Sequence, residues 1–429
     1  MKRKIVLLFA LFLFVFGAAG ILSAGGGQQG GAGSGGRTAI DFYTWRVQAG
    51  KYPDSLIAAF EKKNPDIKVN YDGGITAVDL YLNTQKIKLL SGDGIDITSI
   101  RPETLRDYVK AGYLERINDN EPFLKNYSAA MLDGVRVDGG LYSTPEGVNI
   151  IGVYYNKNMF RRLGISEPAN WNEYVAALDK IKASGITPMM NGGKDGWPIE
   201  FDVFPLIHDV LAKDPQIFTK IENGQAKYTD PVWVNAFNRI RDFYSKEYIR
   251  AETLSMSYDQ ANTLFLEEKT ALMTQGEWNM NSFDGTDSDG NVIKAPFEVG
   301  VFTLPHNMPG EPQVASVSIG ASQGIVSKSR HKDAVKKLLE FMATQEAGTM
   351  LANDLNAFAA VTGVSADFHP LAKLWVPVKD MPRNVNFFYS VQAPAVNAEM
   401  LKQLQLMFLG QATPQQALRE MQAVQDSLR

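Results

Sequence analysis

The chain contains no cysteine, which excludes disulfide staples, thiolate zinc sites, iron–sulfur ligation and cysteine nucleophiles. Histidine is nearly as scarce. His208, His306, His331 and His369 are the full set, and no two stand close enough in sequence to make a metal-ligand pair, so neither a metal nor a cofactor is expected. An excess of positive charge is also missing: 43 Lys and Arg stand against 47 Asp and Glu, a net charge of −4. That sign argues against nucleic acid or an anionic membrane as the main partner. No apolar run reaches the about 20 residues that a membrane-spanning helix needs. What remains is a globular composition, 45% hydrophobic, 21% charged and 10% aromatic, over 429 residues. That length exceeds what one hydrophobic core usually serves, so two packed units are expected.

The first residues read as a targeting segment. Lys2, Arg3 and Lys4 precede the 12-residue apolar run Ile5–Phe16, and small residues follow at Ala18-Ala19-Gly20 and Leu22-Ser23-Ala24. This is the layout of a secretory signal over residues 1–24. Leu22-Ser23-Ala24-Gly25 resembles a bacterial lipoprotein signal up to the position where cysteine should stand, and no cysteine follows. Residues 25–36, GGGQQGGAGSGG, cannot bury a core and read as a flexible tether. Removing residues 1–24 takes away three positive charges and no negative ones, which moves the net charge from −4 to −7. An exported, acidic body is expected, periplasmic or at the cell surface.

From residue 38 strands and helices alternate. Thr38–Trp45 has the two-residue period of a strand, and Asp54–Lys63 carries Leu56, Ile57, Ala59 and Phe60 at helical spacing before Asn64-Pro65 stops it. Ile67–Tyr71 returns to strand, Ala77–Leu90 to helix, and Ile95–Ile100 to strand after the Ser91-Gly92-Asp93-Gly94 turn. Such a βαβαβ opening implies a parallel sheet covered by helices. Farther on, Asn170 with Glu173 caps a helix that ends at Gly185, and another starts at Asp230-Pro231. Residues 284–300 suggest a hairpin around Asp289-Gly290, and 314–319 a strand. Helices are predicted at about 331–347 and 394–409, and a last one from the Thr413-Pro414-Gln415-Gln416 capping box.

Catalytic motifs fail in context. Gly320-Ala321-Ser322-Gln323-Gly324 matches the G-x-S-x-G of a serine-hydrolase elbow, but an elbow needs a helix starting at the serine. Here Gly324-Ile325-Val326-Ser327 continues as strand or loop, and the next helix waits until about Ser329, so a triad with Asp354 or Asp367 and His369 is not expected. Asp287, Asp289, Asn291 and Glu298 fall at positions 1, 3, 5 and 12 of a calcium loop, yet Val292 stands where glycine must make the turn. The bland reading is a hairpin turn.

Three of the six tryptophans carry a different signal. Trp171 and Trp233 sit in helix first turns, where packing explains them, and Trp375 cannot be placed. Trp45 ends the first strand, Trp197 follows the glycine-rich Asn191–Gly196, and Trp278 follows the strand Ala271-Leu272-Met273. Ligands of a parallel α/β sheet bind beyond the carboxyl ends of its strands. Flat rings there stack on the apolar face of a sugar while carboxylates and amides meet its hydroxyls.

The order of segments resembles the extracellular solute-binding proteins, family 1, of bacterial ABC sugar importers. The resemblance rests on Phe60–Pro65 leading into Ile67-Lys68-Val69, Ser91–Asp96, Val153–Phe160 with Leu163-Gly164, and Pro168–Glu173. It continues through Ala271-Leu272-Met273 with Gly276-Glu277-Trp278, Val299-Gly300 with Leu304-Pro305, and Gly410–Pro414. It implies an α/β, two-lobed periplasmic-binding-protein fold with a hinge between the lobes, the chain crossing near Glu146–Ile151 and near Pro305–Gln313. Lobe 1 would comprise residues 37–148 with 313–349, and lobe 2 residues 149–312 with 350–429. By position, Trp45, Arg46, Asp96, Glu146 and Trp278 would line the cleft, and the loop argument adds Asn191, Asp195, Trp197 and Asn356. The implied function is capture of a mono- or oligosaccharide and delivery to the membrane permease subunits of an ABC importer, by a monomer that is not an enzyme. A secreted glycosidase, which needs two carboxylates at catalytic separation, and an oligopeptide receptor are the competing readings.

Overall fold

The computed structural model describes residues 36–45, 52–73, 78–286, 292–355, 357–365, 369–381, 384–387 and 392–429. Alternation in Thr38–Tyr43 turns Ile40 and Phe42 into a core, and the strand pairs in parallel with Ile67–Asp72 on one side and Ile97–Ile100 on the other. The connecting helices are Tyr52–Lys63, which buries Leu56 and Phe60 one turn apart, and Val78–Ser91. The βαβαβ opening is therefore present, with ends moved by a residue or two.

The sheet then continues through two long strands that run antiparallel to each other, Ala315–Ile325 and Thr144–Asn156. One end of Ala315–Ile325 pairs with Ile97–Ile100. The far half of Thr144–Asn156 pairs with Thr270–Gly276 and Val299–Thr303, and Thr270–Gly276 pairs in parallel with Thr187–Met189. These two strands bridge separate cores. The first core gathers the opening strands and the helices Pro102–Lys110 and Lys332–Met342. The second gathers Trp171–Ala183, Pro198–Lys213, Pro231–Ser245 and the C-terminal helices Pro394–Phe408 and Pro414–Ser427. A third, smaller core lies against the bridging strands and includes Tyr154, Phe283 and Trp375. Trp375, which sequence could not place, is fully buried, and its ring meets Tyr154 edge-on at 5.2 Å.

Midway along the bridge the register shifts twice, between Ile319 and Ala321 and between Ala321 and Ser322. The extra residue is Gly320 on one strand and Glu146 on the other. A Cβ on Gly320 would stand 2.2 Å from Asn149 Oδ1, so glycine admits the Asn149 side chain. Paired bulges bend and twist a ladder locally. This irregularity lies at Glu146, the first residue of the 146–151 segment. The second crossing does not follow 305–313: Asn307 O accepts the Trp171 N–H at 2.8 Å, which holds that loop on the second core. The crossing is the strand Ala315–Ile325 itself, longer than the predicted 314–319. Ser322 lies inside it, buried, and pairs with Ile100 and Pro145. No helix starts at this serine, and the elbow reading is excluded.

The helix predicted over 331–347 is two, Lys332–Met342 and Gln345–Leu355, because Thr344 Oγ1 accepts the Ala347 N–H at 3.2 Å and starts the second. The Asn170 cap and the Thr413–Gln416 capping box form as read. Asp284–Thr286 pairs with Val292–Lys294; Asp287, Asp289 and Asn291 of the calcium pattern lie outside the described residues. Among the described residues no helix is long and apolar enough to cross a membrane, and no group of three or more acidic or histidine side chains could hold a metal ion.

Candidate functional site: an aromatic and acidic cleft

On the first core, Thr38–Tyr43 and Ile97–Ile100 end side by side at Thr44-Trp45 and Arg101. Trp45 is half-buried; its ring meets Tyr81 edge-on at 5.2 Å, and the Arg101 guanidinium lies 5.7 Å from its centroid. A buried polar network fixes this floor. Gln85 Nε2 donates to Thr98 Oγ1 at 2.7 Å and to Ser99 O at 2.8 Å, and the Ser99 hydroxyl joins Thr44 Oγ1 and Gln323 Oε1 at 2.9 Å each. Arg101 also donates to Glu103 Oε1, in the first turn of Pro102–Lys110. The second oxygen of Glu103, Oε2, is buried and accepts no hydrogen bond among the described residues.

On the second core, Thr187–Met189 and Thr270–Gly276 run in parallel and end at the loops that carry Trp197 and Trp278. The two indoles meet at 6.4 Å between centroids. Tyr258 lies 5.1 Å from Trp197, and Phe201 lies 5.4 Å from Trp197 and 5.9 Å from Trp278. Trp197 stands at the start of Pro198–Lys213, a helix with buried residues on every face and Pro205 inside it. Glu200, in its first turn, is 5% exposed and accepts from Asn397 Nδ2 at 3.2 Å. Burial pushes its carboxyl up to about 8; the Asn397 bond opposes this, the Glu103 charge adds to it and the Arg101 charge opposes it.

Those last two influences join the halves. Glu103 and Arg101 of the first core stand close enough to act on Glu200 of the second, and Arg106 Nη1 pairs with Glu222 Oε1 at 3.0 Å between helices of the two cores. Trp45, Arg101 and Glu103 thus lie together on the first core, and Trp197, Tyr258, Phe201 and Trp278 together on the second.

The other candidate residues have different surroundings. Asp96 stands at the amino end of Ile97–Ile100, opposite the end that carries Arg101. Its carboxylate accepts the Asp41 N–H at 2.9 Å and the Ser329 hydroxyl at 2.5 Å, tying the strand Thr38–Tyr43 to the loop after Ala315–Ile325. Glu146, the bulge residue, accepts from Tyr52 Oη at 3.3 Å beside a small cavity that Gln323 and Leu351 also line. Asn191 is buried and donates to Asp202 Oδ1, whose carboxyl burial holds well above the usual range while the Asn191 bond opposes the shift. Asp195 accepts the Tyr258 N–H at 2.6 Å, which seats Tyr258 against Trp197. Arg46 and Asn356 lie outside the described residues. Arg101, Glu103 and Glu200 were missed by sequence reasoning; Arg101 directly follows a strand of the parallel sheet, the same signal that selected Trp45.

The family model for bacterial extracellular solute-binding proteins matches residues 43–349. The chain belongs to that family. Members are exported binding proteins. The multiple sugar-binding protein of Streptococcus mutans is 24% identical over 358 residues, 79% of this chain and 80% of that protein. An ABC transporter extracellular-binding protein of Pyrococcus horikoshii is 27% identical over 322 residues, covering 72% of this chain and 68% of its own length. Among solved structures, a chitin oligosaccharide binding protein superposes with a TM-score of 0.77 at 25% identity, over 91% of this chain and 98% of that one. A solute-binding protein in complex with raffinose superposes with a TM-score of 0.74 at 19% identity, over 91% and 99%. The fold is the two-lobed one of these binding proteins.

Proposed function

We propose that this protein captures an oligosaccharide between its two lobes, outside the cytoplasm, and hands it to the membrane subunits of an ABC importer. The observation that carries this reading is the aromatic wall of Trp197, Trp278, Tyr258 and Phe201, set across the bridging strands from Trp45 and the polar Arg101-Glu103 pair. Rings supply stacking surface to sugar faces and the acids accept from hydroxyls. Similarity to sugar-binding relatives supports the same class of ligand.

In this reading the first lobe is built on residues 37–148 and the returning segment after 313. It extends past 349 to about 361, since Leu351, Ala360 and Val361 share its core; the second lobe takes the rest. Trp45, Arg101 and Glu103 contact the ligand from the first lobe, and Trp197, Glu200 and Trp278 from the second. Asp96, Asn191 and Asp195 support the walls, and Glu146 belongs to the hinge. The protein binds without turnover and works as a monomer, with residues 1–24 directing export and 25–36 serving as a tether.

A thermal-shift screen of mono-, di- and oligosaccharides against peptides tests the reading. A ligand present at 100 times its Kd adds about 2.7 kcal/mol of stability. Stabilisation by oligosaccharides and not by peptides is expected; stabilisation by peptides alone, or release of reducing ends from a bound oligosaccharide, would overturn it.

A further inference from the structure

We propose that Glu277 is a positioning residue of the aromatic wall: its carboxylate fastens the turn that carries Trp278 to the bridging strand Thr144–Asn156 and so sets the angle of the Trp278 ring. This rests on the carbohydrate reading above and adds how the wall is aimed. The ladder between Thr144–Asn156 and Thr270–Gly276 ends with Ile151 opposite Gly276. Past that point the chain turns away into Glu277–Ser282, which would leave the Ile150 N–H at that edge without a ladder partner. Glu277, 2% exposed, reaches back and accepts that N–H through Oε2 at 2.7 Å. A carboxylate accepting an N–H makes a charge-assisted bond, roughly twice as strong as a neutral one.

Trp278 is the next residue, so the direction of its side chain follows from how this turn is held. The Tyr154 hydroxyl donates to Gly276 O at 3.1 Å and Glu277 O at 3.2 Å, which pins the same peptide units. Ile150 in turn neighbours Asn149, whose side chain fills the space over Gly320 at the paired bulge. A bend at the bulge moves Ile150, and through the Glu277 bond it moves the turn that carries Trp278. The Trp278 indole meets Trp197 at 6.4 Å, so the wall is tied to the stretch of sheet where the two cores are joined.

The test reads the ring itself. Trp197 and Trp278 stand with their planes 60° apart, so their transitions couple and give a circular-dichroism couplet that depends on their mutual angle and is lost in Trp278→Phe. In the ligand-free whole chain, Glu277→Ala should remove most of that couplet, and Glu277→Gln, which keeps an acceptor oxygen at the same reach, should retain it. Glu277→Asp, a milder change that draws the oxygens back by one methylene, should weaken the couplet and serves if the alanine variant does not fold. Calorimetry with maltotriose, the β-1,4-glucose trimer and the N-acetylated β-1,4-glucosamine trimer should show affinity falling about tenfold in Glu277→Ala and staying within about threefold in Glu277→Gln. In a Trp278→Ala background, Glu277→Ala should weaken binding by less than about twofold more, because a residue that acts through the ring then has nothing to aim. A wild-type couplet in folded Glu277→Ala or Glu277→Asp, or full additivity of the two alanine substitutions, would overturn the positioning role and leave Glu277 to fold stability alone. The couplet is read without ligand, so if no saccharide of any class bound, the carbohydrate reading would fall while the couplet still decided what Glu277 holds.

Discussion

The Trp278 indole folds back over Gly276, so closely that a Cβ on Gly276 would lie 2.1 Å from the ring. Gly276 ends the strand Thr270–Gly276, and Trp278 lies in the short helical turn Glu277–Ser282 that follows. The Gly-x-Trp spacing is thus a packing requirement: glycine is what lets the ring lie flat against its own strand end and complete the wall with Trp197. Gly276→Ala should push the indole out of place and weaken oligosaccharide binding in the same direction as Trp278→Ala, which should cost roughly 1–3 kcal/mol as loss of a central aromatic contact. Calorimetry beside a denaturant melt checks this. A loss of fold stability larger than the loss of binding would make Trp278 a core residue and no more.

Asp96→Ala should show the opposite pattern. The carboxylate accepts from Asp41 N–H and the Ser329 hydroxyl, and removing a charged acceptor from buried donors costs about 1–3 kcal/mol. Urea denaturation should reveal that loss, while ligand affinity stays within about twofold, because Asp96 stands at the opposite end of the strand Ile97–Ile100 from Arg101. A large affinity change with intact stability would return Asp96 to the cleft.

Asp202 sets a pH dependence. Burial raises its carboxyl in the folded chain, so between the unfolded value, about 4, and the higher folded value the native state holds a proton that the unfolded state has released. Stability therefore falls as pH climbs through that window. Asp202→Asn keeps an oxygen for the Asn191 amide and removes the titration, so its advantage over the wild type should grow from pH 5 to pH 8. Parallel melting curves at both pH values would sink the idea.

The Arg106–Glu222 pair joins the lobes, but both side chains are partly exposed, and such pairs contribute about 0–1 kcal/mol. Arg106→Ala should weaken apparent affinity by no more than about fivefold, and less again at high salt. A hundredfold loss would mean that this pair, and not the ligand, holds the lobes together.

The parts of the fold legible in the sequence were those with a period or a cap. Leu56 and Phe60, the Asn170 cap and the Thr413 box announced their helices through local chemistry. Pro198–Lys213 escaped because it is apolar on nearly every face and contains Pro205, so no amphipathic stripe marks it. It carries Glu200 in its first turn. The ring positions were legible for a topological reason: strand ends in a parallel sheet can be read from strand order. A carboxylate in a Gly-Ile-Asp turn looks the same in sequence whether it faces a ligand or accepts, as Asp96 does, from the Asp41 N–H and the Ser329 hydroxyl.

Closure around the ligand is the centre of the account. Contacts made to both lobes at once are what favours a closed state, and the bulged crossing at Gly320 and Glu146 supplies a place for the bend. Small-angle X-ray scattering on the whole chain, with and without a saturating oligosaccharide that raises its melting temperature, measures this most directly. The radius of gyration should fall on adding the sugar. An unchanged radius at saturation would contradict hinge closure and leave a rigid, preformed site in its place.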